Sequence, residues 1–180
     1  MSFTKIHRSL LLVAALALLP SIASAFDYNY FEGGYLYRNN DQVDASGFRL
    51  AGSVDVVPHV AVFAEYGDTG HYNQIGAGAL FHTPINSTLD LNLGASVEHA
   101  DSNHDSDTGI GLRGGVRWKI LSQLEIDPEL RFIDLYRGMT SARLGALYRI
   151  NPAIDIQGAA QVGDEDRVEA SLRYNFGPHY

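Results

Sequence analysis

From residue 89 to residue 98, apolar and polar side chains alternate without a break. Leu89, Leu91, Leu93, Ala95 and Val97 are separated by Asp90, Asn92, Gly94 and Ser96, and Glu98 follows. A period of two marks a β-strand with one apolar and one polar face. The alternation recurs along the chain and predicts ten strands, at 27–38, 47–57, 60–68, 73–82, 89–100, 109–120, 124–136, 141–150, 153–163 and 167–176. No segment after residue 26 carries a convincing period of 3.6, so no helix is expected there. In strands five, six, eight and ten the apolar face holds no charged residue. The opposite face carries Asp90, Glu98, Arg113, Arg117, Lys119, Arg143, Arg149, Arg167, Glu169 and Arg173. Such strands suit either a soluble sandwich with the apolar face inside or a membrane barrel with that face in lipid.

The connections separate the two. One set, "PH" (58–59), "TPINST" (83–88), "LSQ" (121–123) and "NPA" (151–153), contains no Asp, Glu, Lys or Arg. The set between them, "NNDQVDAS" (39–46), "DTGHY" (68–72), "DSNHDSDT" (101–108), "RGMT" (137–140) and "DEDR" (164–167), is rich in acids, among them Asp41, Asp44, Asp68, Asp164, Glu165 and Asp166. A bacterial barrel has this asymmetry, with tight turns at one rim and polar loops at the other. If odd strands rise and even strands descend, aromatic residues collect near both rims. Tyr28, Tyr30, Phe81, Trp118, Tyr148, Tyr174 and Phe176 fall at the turn end, and Tyr35, Tyr37, Phe48, Tyr66, Tyr72 and Tyr136 at the loop end. Two aromatic girdles belong to membrane–water interfaces. The pattern therefore predicts an all-β, transmembrane, antiparallel up-and-down barrel of ten strands, or of eight if strands three and seven merge into loops. Pro128 and Asp134 conflict with the lipid face of strand seven, since proline cannot donate to the ladder.

The first residues read differently. Lys5, His7 and Arg8 precede the apolar run "LLLVAALALL" (10–19) and the small-residue site "ASA" (23–25). This is the pattern of a secretory signal peptide, too short for a spanning helix. It divides the chain into a leader, 1–25, cut between Ala25 and Phe26, and a barrel, 26–180. Without Lys5 and Arg8, 11 basic side chains face 21 acidic ones, a net charge of about −10, which argues against nucleic acid as a partner. There is no cysteine to staple the fold.

The register assigns a charge network to the lumen. Its acids are Glu32, Asp55, Glu65, Asp90, Glu98, Glu125, Asp127, Glu129, Asp155 and Glu169. Its bases are Arg38, Arg49, Arg113, Arg117, Lys119, Arg131, Arg143, Arg149, Arg167 and Arg173. Hairpin geometry sets Lys119 opposite Glu125, Arg117 opposite Asp127 and Arg149 opposite Asp155. A barrel of ten strands is narrow, so these side chains are expected to fill it, with Gly76, Gly78, Gly94, Gly111, Gly115 and Gly145 making room. The alternative is a charged filter that passes small solutes or ions.

Other motifs add little. "GIGLRG" (109–114) matches a dinucleotide fingerprint but opens a strand after an acidic loop, the reverse of the context that fingerprint needs. Asp101, Asp105 and Asp107, with His104, offer weak candidates for a divalent cation, without the spacing of an EF-hand. Asp68, His71, His99, Ser102 and His104 lie where some barrels carry rim catalysts, yet no nucleophile, base and orienting group is set together. No enzyme activity and no cofactor are expected.

"YNYFEGGYL" (28–36), "ASGFRLAGSVDVVPHVAVFAEYG" (45–67) and "YRINPAIDIQGAAQVG" (148–163) together resemble small bacterial outer-membrane barrels of the diffusible-signal-regulated, quorum-factor type, within the broader group of OmpA/OmpX-like small barrels. The resemblance implies Sec export, residence in a Gram-negative outer membrane and release in vesicles. It leaves the terminal aromatic, Phe176 or Tyr180, open. The expected partners are outer-membrane lipid and lipopolysaccharide, with periplasmic chaperones and the barrel assembly machinery during biogenesis, and the expected state is a monomer. The function expected is that of an integral outer-membrane protein with a structural or surface-interaction role.

Overall fold

The computed structural model describes residues 26–40, 43–102 and 105–176. Ten antiparallel strands follow one another around a closed barrel: β1 (Tyr30–Asn40), β2 (Val43–Val57), β3 (Val60–Asp68), β4 (Tyr72–Asn86), β5 (Leu89–Ser102), β6 (Ser106–Leu121), β7 (Leu124–Ile133), β8 (Met139–Asn151), β9 (Ile154–Gly163) and β10 (Asp166–Asn175). The first and last strands pair from Tyr30 with Asn175 to Asn39 with Asp166, which closes the cylinder. Closure removes the unpaired edges that would otherwise template aggregation. The eight-stranded alternative falls away, because β3 and β7 are both full members of the sheet.

The alternation translates directly into an inside and an outside. Phe31, Leu50, Leu93, Val97, Leu112, Leu130, Leu144 and Leu172 all stand on the exterior, each at least half exposed. Buried positions include Glu32, Arg49, Asp90, Glu125, Arg143 and Arg173. Monomeric water-soluble proteins do not expose a continuous apolar belt of this kind. Lipid supplies the missing cover, because it solvates hydrocarbon at no cost while the closed ladder satisfies the backbone. Leu112 lies near the middle of β6, so Leu112→Arg is expected to destabilise the barrel by ~2–4 kcal/mol, with little effect from Ser106→Arg at the loop end of the same strand. Urea unfolding in micelles, followed by heat-modifiable gel mobility, measures the difference.

The two rims are built differently. At the turn end, Asn86 and Asn151 side-chain oxygens accept from the Thr88 and Ala153 backbone amides at 2.8 and 2.9 Å and hold tight hairpins. His59 supplies the positive φ of the Pro58–His59 turn. At the loop end the strands run on, so the connections are shorter than the acid-rich stretches implied. Their carboxylates hold backbone: Asp68 accepts from Gly70 N at 2.7 Å, Asp105 from Ser106 N at 2.9 Å and Asp107 from Thr108 N at 2.8 Å.

Three expectations need correction. Residues 27–29 are not part of β1; they precede it and turn into the barrel mouth. Tyr28, Tyr30 and Tyr72 leave the girdles for the interior: Tyr28 is buried, and arginines lie over the rings of Tyr30 and Tyr72. Strand seven ends at Ile133, which puts exposed Asp134 outside it. Pro128 causes no phase shift. The β6–β7 register is the same on both sides of it, from Gly115 with Glu129 to Trp118 with Ile126.

Candidate functional site: the ionic lumen

The interior is a stack of ion pairs. At mid-height Glu65 receives three guanidinium groups, from Arg113 at 2.8 Å, Arg49 at 3.3 Å and Arg131 at 3.4 Å. Arg49 also pairs with Glu32, which takes Arg173 at 2.7 Å. Arg131 pairs with Glu129, and Arg143 joins Glu169 at 2.9 Å to Asp127 at 3.3 Å. Small residues permit this crowding. A side chain at Gly145 would collide with the Asp127 carboxylate, and one at Gly76 with that of Glu98. Phe63 contributes the face of its ring to Arg113, 4.1 Å away.

Toward the turn end Arg149 reaches Asp155 at 3.1 Å, across the β8–β9 register that the hairpin implied. Lys119 stands opposite Glu125 in the ladder, but Glu125 pairs with Arg117. Arg117 is thus diverted from Asp127, which goes to Arg143. The reason is reach: a guanidinium spans the diagonal distance between strands as readily as the direct one. Below these pairs the chain before β1 enters the lumen. Phe26 and Tyr28 are each only 3% exposed and pack against Ala61 and Leu80. Tyr28 stacks on His82, with ring centres 3.9 Å apart, and donates its hydroxyl to Asp90 at 3.0 Å. Burial drives the phenol's pKa well above its ordinary value; Arg117 opposes this and Asp90 adds to it. His82 lies between Asp55 at 3.0 Å and Asp90 at 3.5 Å. Asp27 completes the closure: its carbonyl accepts from Arg117 at 2.7 Å and its carboxylate meets Arg149 at 3.2 Å. Asp27 and His82 are members of the network that the sequence reading did not include.

What space remains is small. A lumen cavity of about 70 Å³ lies between Tyr28, Arg49, Glu65, Arg113 and Arg173, and another of about 20 Å³ lies toward the loop end beside Arg38, Gln74 and Arg167. These hold a few waters each at most.

Two of the rim candidates, His99 and Ser102, make contacts at the β5–β6 hairpin end. His99 Nδ1 bonds Thr108 Oγ1 at 2.7 Å and its Nε2 faces Asp101 at 3.5 Å, while Ser102 donates to the Asp105 carbonyl at 3.0 Å. Among the described residues, no three His, Cys, Asp or Glu side chains converge as metal ligands. His104, Asp41, Ala25 and the 177–180 tail lie outside the described residues.

An apolar exterior wrapped around an ionic interior defines a transmembrane β-barrel. Among solved structures the chain is similar to the KdgM porin, with a TM-score of 0.54 and 15% identity over 82% of this chain and 99% of that one. The same porin in complex with disordered oligogalacturonate aligns with the same values. The NanC porin is more distant, at a TM-score of 0.46 and 9% identity over 82% and 98% of the two chains. At such identities the likeness to KdgM is one of fold. No family model and no curated protein matches the sequence.

Proposed function

We propose that the protein is an integral barrel of a Gram-negative outer membrane, exported through the Sec pathway and cut after Ala25. Its lumen is closed by ion pairs, and its role is structural or surface-interacting rather than diffusive or enzymatic. The observation that carries this reading is the interior filled by ion-paired side chains, which leave a void of about 70 Å³ at mid-height. The tucked position of Phe26 supports cleavage there, because it seats the first residues of the mature chain in the barrel mouth. Lipid and lipopolysaccharide then surround a monomer, delivered by periplasmic chaperones and the barrel assembly machinery. The diffusible-signal-regulated family remains the finer reading, supported by the motifs quoted above. Purified protein reconstituted in planar bilayers should show no discrete conductance steps. Regular single-channel steps would overturn the closed lumen in favour of the second reading, a narrow porin-like channel, which the fold shared with the KdgM porin favours.

A further inference from the structure

At the loop end, two arginines occupy positions that like charges ordinarily avoid. Arg38 of β1 and Arg167 of β10 are direct partners in the closing ladder. Both are almost fully buried, at 4% and 7% exposure. Like charges placed opposite each other destabilise a sheet. They are held together by a residue from the β9–β10 connection. Glu165 turns inward, is 6% exposed, and pairs with Arg38 through one oxygen and with Arg167 at 2.6 Å through the other. Its two acidic neighbours turn outward and hold backbone instead: Asp164 accepts from Thr140 N at 2.7 Å and Asp166 from Gly163 N at 3.2 Å. Gln74 is a second shared acceptor, its side-chain oxygen taking Arg38 at 3.3 Å and Arg167 at 3.0 Å. The other end of the Gln74 amide is anchored on Glu98 at 3.1 Å.

We propose that Arg38 and Arg167 form a binding site for a carboxylate-bearing anion at the loop end of the lumen, and that Glu165 is its tethered occupant. Each guanidinium offers the carboxylate one nitrogen, Arg38 through Nε and Arg167 through Nη2, and charge-assisted contacts of this kind are the strong ones for that group. The donors exceed what Glu165 uses, since Arg38 Nη1 is buried and has no hydrogen-bond partner among the described residues. The cavity beside them is about 20 Å³, room for a water. A carboxylate from solution therefore replaces Glu165 and does not join it. Glu165 sits on a two-residue connection between β9 and β10, so displacement needs only a local rearrangement of the hairpin tip. The hairpin pre-organises Glu165, so the tether competes at an effective concentration well above the millimolar range of a flexible linker, which keeps the site closed to dilute anions.

Glu165→Ala removes the competitor and leaves two opposed charges. In detergent micelles this variant should unfold at lower urea than the parent. Acetate at about 10 mM, well below the effective concentration of the pre-organised carboxylate in the parent, should restore its midpoint, whereas chloride at equal ionic strength should not, and the parent should respond to neither. Nε–Hε resonances of Arg38 and Arg167 should shift with acetate in the variant alone. Refolding of Glu165→Ala only when acetate is present would support the site equally. Glu165→Gln, which keeps the side-chain volume, is titrated alongside; silence of its two arginine resonances toward acetate overturns the proposal whether or not the alanine variant refolds. An equal response of variant and parent overturns it too, as does rescue by chloride or by phosphate to the same degree, which would make the effect one of charge alone.

Discussion

Glu65→Ala is expected to lower the stability of the barrel by ~3–5 kcal/mol, the cost of stripping a buried charge cluster of its counter-ion. Glu65 is the meeting point of three guanidinium groups. Arg131 retains Glu129 and Arg49 retains Glu32. Arg113 has no other ion pair among the described residues. Its loss of partner dominates the effect, and the charge it leaves behind repels its two neighbours across a poorly hydrated interior. Glu65→Ala/Arg113→Ala should therefore be more stable than the sum of its single variants, because the second change removes the orphaned charge. Urea midpoints in micelles complete the double-mutant cycle. A loss of under 1 kcal/mol for the single change would mean that water reaches this level of the lumen and screens the arginines, as it does for exposed pairs.

The existence of ten strands was legible because a half-lipid, half-lumen environment imposes a strict period of two along every one of them. That signal is repeated ten times and each repeat checks the others. The lumen charges followed from the same parity. Three features that escaped were written in it as well. Phe26, Tyr28 and Tyr30 share the parity of Glu32, and Tyr72 shares that of Gln74; both sets point inward. Reading the three tyrosines as girdle residues followed aromatic type and closeness to a rim while overlooking phase. Glu165 has the parity of Gln161 and Arg167, which should have separated it from Asp164 and Asp166 in a run of three acids.

Other features were not legible in principle. Alternation says which side a residue takes but not which partner a long side chain chooses, so Arg117 was set against Asp127 when it reaches Glu125. The closed mouth depends on residues 26–29 leaving the ladder, and nothing in their alternation marks where pairing stops. The acid-rich hairpin ends looked like loops because Asp is a poor strand former. In a closed barrel, neighbouring strands carry the ladder past the point where local preference would end it, and the carboxylates then serve the backbone amides at the tips.

Tyr28 tests whether that mouth segment is part of the folded barrel or lies loosely within it. Its ring is stacked on His82 and covered by Arg117, whose guanidinium carbon lies 4.6 Å from the ring centre. Its hydroxyl is a donor to Asp90, which has no exposure at all. Removing the ring leaves a void in a packed site and strips Asp90 of that donor, so Tyr28→Ala is expected to lose ~3–5 kcal/mol. Tyr28→Phe keeps the stack and loses only the hydrogen bond to a buried carboxylate, an expected loss of ~1–3 kcal/mol. The order of the two values carries the argument, since a segment merely resting in the mouth would show neither loss. Limited proteolysis gives a second reading of the same energy: the Asp27–Asn29 stretch should resist cleavage in the parent and become susceptible in Tyr28→Ala while the strands stay protected. If the alanine variant unfolds with the parent's midpoint, the hydrogen bond from Arg117 to the Asp27 carbonyl and the ion pair of Asp27 with Arg149 do not hold the segment in place either, and the turn end of the lumen is open to water.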